Sequence, residues 1–261
     1  MRQPSTTLLT VLAAALLCAI PAGATTLEET LDQTYSFQPG DTLALSNTNG
    51  SVSIGTWDRS EIRVEAVKKV RHGDEDRAQE VMDNLLIEIE QSAGRIDIET
   101  RYPKFGDSWL SGWNVSANVE YTITVPEQAD LDVSTVNGKV AVVGVRGRLD
   151  VRTTNGGIRL DDAGGTVQAR TTNGGIDAEL RQIDAGEDLS FRTTNGGITV
   201  SLPEEIQADL TARTTNGSIK TDFPVEVVGK MSRTRIDGEI NGGGGKLDLK
   251  TTNGGIKIRK S

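Results

Sequence analysis

One six-residue phrase constrains this chain more than any other feature. Thr-Thr-Asn-Gly-Gly-Ile occurs intact at 153–158, 171–176, 193–198 and 251–256. Looser copies stand at 47–52, 135–140 and 214–219, and Asp237-Gly238 followed by Ile240 reads as an eighth. With the turn Asn (or Asp237) as origin, successive turns from Asn137 onward lie 18, 18, 22, 21, 21 and 16 residues apart. A period near 20 marks a repeat architecture in which each unit leans on its neighbours.

The apolar pattern is tied to the same origin. Six residues before the turn come Leu43, Leu131, Leu149, Val167, Leu189, Leu210, Met231 and Leu247. Three after it comes Val or Ile in every copy. Positions −4 and +5 are mostly apolar as well, with Arg233, Thr221 and Gly242 as exceptions. Apolar residues two apart on each side of a turn describe two short strands with one buried face each. The parity change across the turn predicts a two-residue corner. Asn tolerates left-handed backbone and Gly favours it, so Asn-Gly suits such a corner.

Two all-β folds satisfy this pattern. In a hairpin meander each Asn-Gly is a type I′ turn. In a parallel β-solenoid each repeat of about 16–22 residues is one coil, and like residues stack. The solenoid is the better fit, because an outer Thr pair and Asn recurring together can hydrogen-bond along a ladder at about 4.8 Å. A lone coil buries too little to stand alone, so the stack must be cooperative and its ends capped. The charges of Lys257, Arg259 and Lys260, just past the last copy, would discourage growth at an open end.

Residues 1–24 read as a signal peptide: Arg2, an apolar run at 8–20, then Ala22-Gly23-Ala24. Cys18 is preceded by Leu17, which argues against lipid attachment. Removing this leader leaves 237 residues with no cysteine and 27 basic against 37 acidic side chains, a net charge of −10. Such a chain has no thiol chemistry and no general affinity for nucleic acid. No later apolar stretch is long enough for a transmembrane span. The expected location is the periplasm or the cell exterior.

Residues 25–130 form an N-terminal β-rich region with the first repeat and one helix, and 131–261 form the solenoid, continuous with it. Within the insertion, Ile62, Val64 and Ala66 alternate as a half-buried strand. Ala78, Val81, Met82 and Leu85 fall at helical spacing and predict a helix over 76–86. The stretch 102–114 is irregular and carries Phe105, Trp109 and Trp113.

The order of these features carries a resemblance. SFQPGDTLALSNTNGSVSIGTWDRSEIRVEAVKKV, a helix, VEYTITVPEQADLDVSTVNGKV and then serial TTNGGI units resemble the bacterial "putative adhesin" family of exported β-solenoid proteins. The likeness runs over about 35–258. It implies a parallel β-helical fold, export and no assigned catalysis, and it brings no catalytic residues with it.

Few residues invite chemistry. His72 is the only histidine, so no transition-metal site is expected. Asp161-Asp162, Glu204-Glu205 and 74–76 lack calcium-loop spacing. Neither a nucleophile elbow nor a phosphate loop is present, and no cofactor is expected. The one regular polar feature lies three residues before the turn: Arg152, Arg170, Arg192, Arg213 and Lys250. In a solenoid they would share one outer face. Neighbouring carboxylates such as Asp132, Asp150 and Asp248 could neutralise them, or an acidic glycan or lipid head group could bind along them. Trp109 and Trp113 are a second candidate binding group. The expected function is a non-enzymatic binding or structural role at the bacterial cell envelope. A carbohydrate-active β-helix enzyme (polysaccharide lyase or glycosidase), with two carboxylates on neighbouring coils as acid and base, is the alternative, although acidic residues recur at no one outward offset and Asp177 and Glu179 stand beside Arg159 and Thr199.

Overall fold

Two sheets face each other across one apolar core. The computed structural model describes residues 25–103 and 115–261. The N-terminal region comprises β1 (Thr25–Ser36), β2 (Thr42–Ser46), β3 (Val52–Trp57), β4 (Glu61–His72), α1 (Glu75–Asn84), β5 (Leu86–Ser92), β6 (Arg95–Arg101) and β7 (Ser116–Pro126). Four regular coils follow: β8 (Asp130–Ser134) with β9 (Val140–Val143), β10 (Leu149–Arg152) with β11 (Ile158–Gly164), β12 (Val167–Arg170) with β13 (Ile176–Gln182), and β14 (Leu189–Arg192) with β15 (Ile198–Leu202). The chain ends with β16 (Ala208–Asn216), β17 (Ile219–Thr221), β18 (Glu226–Ser232), β19 (Arg235–Ile240), β20 (Gly245–Asn253) and β21 (Ile256–Lys260). Among the described residues no helix is long and apolar enough to cross a membrane.

The first strand of each coil joins an 11-stranded sheet, ordered β18-β19-β16-β20-β14-β12-β10-β8-β2-β6-β5. The second joins a 10-stranded sheet, ordered β1-β4-β7-β3-β9-β11-β13-β15-β21-β17. The coils stack in parallel register, as a solenoid requires and a meander forbids: Leu149 pairs with Val167 and Ile158 with Ile176. The inward rows −6, −4, +3 and +5 fill the space between the sheets. Packing along a row is complementary. Ala169 lies in register beside the fully buried Phe191, and its own coil also carries the small Ala178 across the core.

The corner departs from the sequence expectation in its physical cause. The only non-glycine residues with positive φ are Asp162 and Asn241 among the described residues, so the corner asparagines are not left-handed. Each Asn instead joins a side-chain ladder. Asn137 donates to Asn49, Asn155 to Asn137, Asn173 to Asn155, Asn195 to Asn173, Asn253 to Asn195 and Asn216 to Asn253, all at 2.7–2.8 Å. The first Gly is required by close approach. A Cβ on Gly174 would lie 1.9 Å from the Gly156 carbonyl oxygen, and Gly138, Gly156 and Gly196 repeat the same collision. The second Gly is looser: a Cβ on Gly175 would lie 3.4 Å from the Gly197 oxygen, and Lys139 or Ser218 occupies the equivalent place elsewhere. Nor is the Thr pair wholly outward. Its first member is buried, and Thr153, Thr171, Thr193, Thr214 and Thr251 donate their Oγ1 hydrogens to glycine carbonyls of the adjacent coil at 2.8–2.9 Å.

Chain order is not stack order. β20 lies between β14 and β16, and β21 between β15 and β17, so the last copy of the phrase fills an interior rung. Lys257, Arg259 and Lys260 therefore do not cap the stack through a terminal coil. The expected eighth copy is absent. Asp237-Gly238 lies inside β19, which pairs antiparallel with β16 and β18. The turn between β18 and β19 then closes the corner column: Thr214 N donates to Thr234 O and Ile219 N to Arg233 O. At the other end β6 and β7 stack beyond β2 and β3, and antiparallel β4, β1 and β5 follow.

Helix α1 is the N-terminal cap. Asp74 is its N-cap, accepting from Arg77 N at 3.1 Å, and Glu75 and Asp76 complement the helix dipole. Ala78, Val81 and Met82 are buried, and the helix packs on β4 and β1. It stops before the expected 86 because Leu86 already begins β5.

Candidate binding surface

The residues at −3 form a column on the outer face of the 11-stranded sheet. Strand alternation turns them outward because −4 and −6 point in. Arg152 is in register with Arg170, Arg170 with Arg192, Arg192 with Lys250, and Lys250 with Arg213. The sequence order placed Lys250 last; the inserted rung puts it fourth. Arg213 is in register with Arg235, so the column continues for a sixth cation. Sequence reading missed Arg235 because it treated 237–238 as a corner.

Two residues earlier on each parallel strand, and two later on antiparallel β19, runs a companion column of Asp150, Gln168, Ser190, Asp248, Thr211 and Asp237. It neutralises the cations unevenly. Arg152 pairs with Asp150, and Arg192 with Asp248, where Nε lies 3.1 Å from Oδ2. Arg213 and Arg235 share Asp237, at 3.6 and 2.5 Å. Among the described residues Arg170 donates only to the neutral Gln168, at 3.1 Å, and Lys250 has no ion pair. Asp132 pairs with none of them. Six cations thus meet three carboxylates, with the deficit at Arg170 and Lys250. Two unit charges about 4.8 Å apart repel by about 0.9 kcal/mol in water. The Arg152 and Arg192 side chains are each 48% exposed, so their pairs contribute little and yield readily to a competing anion.

The other candidates separate from this surface. Trp109 and Trp113 lie outside the described residues. Asp177 and Glu179 are on the 10-stranded sheet, where Glu179 pairs with Arg181 and Arg159 with Asp161. That face also carries a shallow groove of about 490 Å³ over Gly157, Gly175 and Gly197. Among the described residues no group of three or more His, Cys, Asp or Glu is placed to hold a metal ion.

The family model Toastrack DUF4097 matches residues 130–259. No curated protein matches. Three solved structures are similar at low identity. A "putative cell adhesion protein" from Clostridium sporogenes is 14% identical over 89% of this chain and 100% of that one, with a TM-score of 0.45. A "putative adhesin" from Bacteroides fragilis is 9% identical over 89% and 97%, with a TM-score of 0.35. A "putative lipid binding protein" from Parabacteroides distasonis is 10% identical over 89% and 96%, with a TM-score of 0.31. Residues 130–259, which carry all six cations of the basic column, belong to the Toastrack DUF4097 family.

Proposed function

We propose that this protein is an exported, non-enzymatic binding module of the bacterial cell envelope, and that it holds an acidic glycan or similar envelope polyanion along its basic column. One observation carries this reading: among the described residues, six register-aligned cations on consecutive strands form ion pairs with only three carboxylates. The column is built on hydrogen-bonded sheet rather than loops, so its spacing is fixed before a ligand arrives. Arg guanidinium groups present paired donors suited to carboxylate or phosphate. The leader at 1–24 supports export.

Retention of residues 25–261 on immobilised polygalacturonate, compared with neutral dextran, tests the reading. Selective retention by the acidic polymer, weakened about fivefold in Arg170→Glu, is expected. Equal retention on both, or none on either, would refute it.

A further inference from the structure

Charge is distributed unevenly along the stack, and the imbalance coincides with exposed apolar side chains at one end. Residues 25–103 carry 16 Asp and Glu against eight Lys and Arg, a net charge of −8. Residues 208–261 carry six against ten, a net charge of +4. The second group builds the end of the stack opposite α1, where β18 and β17 are the two edge strands.

Cations at this end are unusually free. Lys220 on β17, Lys257 beside it, Arg259 on β21 and Arg233 in the β18–β19 turn are exposed and make no ion pair among the described residues. Asp222 and Glu226 are the carboxylates of the connecting segment. On the same end, Val227, Val228 and Met231 are 46, 72 and 65% exposed. They are half of the six large apolar residues exposed among the described residues, gathered on one edge strand. The two strands β18 and β19 extend the 11-stranded sheet past the last strand of its partner sheet, so β18 has no strand facing it. Phe223, Ile236 and Ile240 beneath it are buried, so the core is already closed without the exposed trio.

We propose that this end of the stack docks on an anionic lipid surface. The free cations meet the head groups, and Val228 and Met231 enter the interfacial layer. A cationic rim around a few exposed apolar side chains is the combination that holds a protein on such a surface. The unpaired backbone of edge strand β18 stays at head-group depth, where it can be hydrated, so no polar group enters hydrocarbon. The acidic cap at the other end is repelled by the same surface, which orients the long axis of the stack away from it. Arg213 and Arg235 of the basic column belong to this end, whereas Arg152, Arg170 and Arg192 lie further along the stack, so substitutions at Arg170 and Arg192 separate this docking from the glycan reading.

Sedimentation of residues 25–261 with vesicles of phosphatidylcholine, alone or mixed equally with phosphatidylglycerol, tests the proposal. Binding to the mixed vesicles only is expected. Each cation near an anionic surface is worth about fivefold in binding, so Lys220→Ala, Lys257→Ala and Arg259→Ala together should weaken it on the order of 100-fold. Val228→Asp with Met231→Asp should also release the protein, whereas Arg170→Glu with Arg192→Glu should leave most vesicle binding intact. The proposal is overturned if the parent ignores mixed vesicles. It is equally overturned if neither set of end substitutions matters. Self-association through Val228 and Met231 in place of vesicle binding would assign the end to a second copy of the chain instead.

Discussion

The two glycines of the repeated phrase should respond very differently to the same small change. In Gly174→Ala the new methyl would lie 1.9 Å from the Gly156 carbonyl oxygen, so the two coils must separate by more than 1 Å to reach ordinary contact. That same oxygen accepts the Thr171 hydroxyl at 2.8 Å, and Asn173 N donates to Thr154 O at 2.7 Å beside it. Orphaning the buried Thr171 hydroxyl costs about 1–3 kcal/mol, and one weakened neighbouring bond adds about 1 kcal/mol. With about 1–3 kcal/mol of overpacking strain, Gly174→Ala should destabilise by roughly 3–7 kcal/mol. In Gly175→Ala the methyl has 3.4 Å of room and the φ is unconstrained, so the change should stay within about 1 kcal/mol of neutral. Urea unfolding followed by far-ultraviolet circular dichroism measures both. Equal costs for the two substitutions, or a tolerated Gly174→Ala, would refute the steric explanation.

Other consequences follow from the same contacts. Asn173→Ala removes two ladder bonds and should cost about 2 kcal/mol, whereas Asn216→Ala at the ladder's end removes one and should cost about half as much in the same unfolding assay. Phe191→Ala empties a fully buried site beside Ala169 and should cost about 3–5 kcal/mol, read as a shift in the urea midpoint. Burial pushes the Tyr102 phenol up to about 12, although its hydrogen bonds to backbone oppose the shift. Its contribution is therefore complete below pH 10 and lost as pH rises from 10 through about 12, and Tyr102→Phe should remove one late step from the alkaline absorbance titration.

Much of the coil was legible in sequence because side-chain direction in a strand depends only on parity. The rows through Leu149, Val151, Ile158 and Leu160 follow from counting residues away from Asn155. The basic column at −3 follows from the same count. Stack order was not legible. Every coil presents the same offsets, so nothing in 251–256 states that it sits beside Asn195 rather than beyond Asn216. Asp237-Gly238 was misread because a Gly after an acidic residue, with Ile two further on, copies the corner pattern. The signal against it was Arg233 at −4, an inward position in every other coil. The role of the first Gly was also misassigned, because sequence alone does not distinguish a glycine needed for φ from one needed for contact between backbones. Here Gly174 meets Gly156 across the stack, a relation visible only when two coils are set side by side.

The most direct test of the basic column is a calorimetric titration of residues 25–261 with polygalacturonate at low and moderate salt. The parent should bind, and binding should weaken as salt rises. Arg170→Glu with Arg192→Glu should reduce affinity about 30-fold, from roughly 0.5 kcal/mol of attraction lost and as much repulsion gained at each site. Arg159→Glu on the opposite sheet should leave affinity unchanged. Salt-independent binding, or equal losses from changes on either sheet, would contradict the assignment of the ligand to this column.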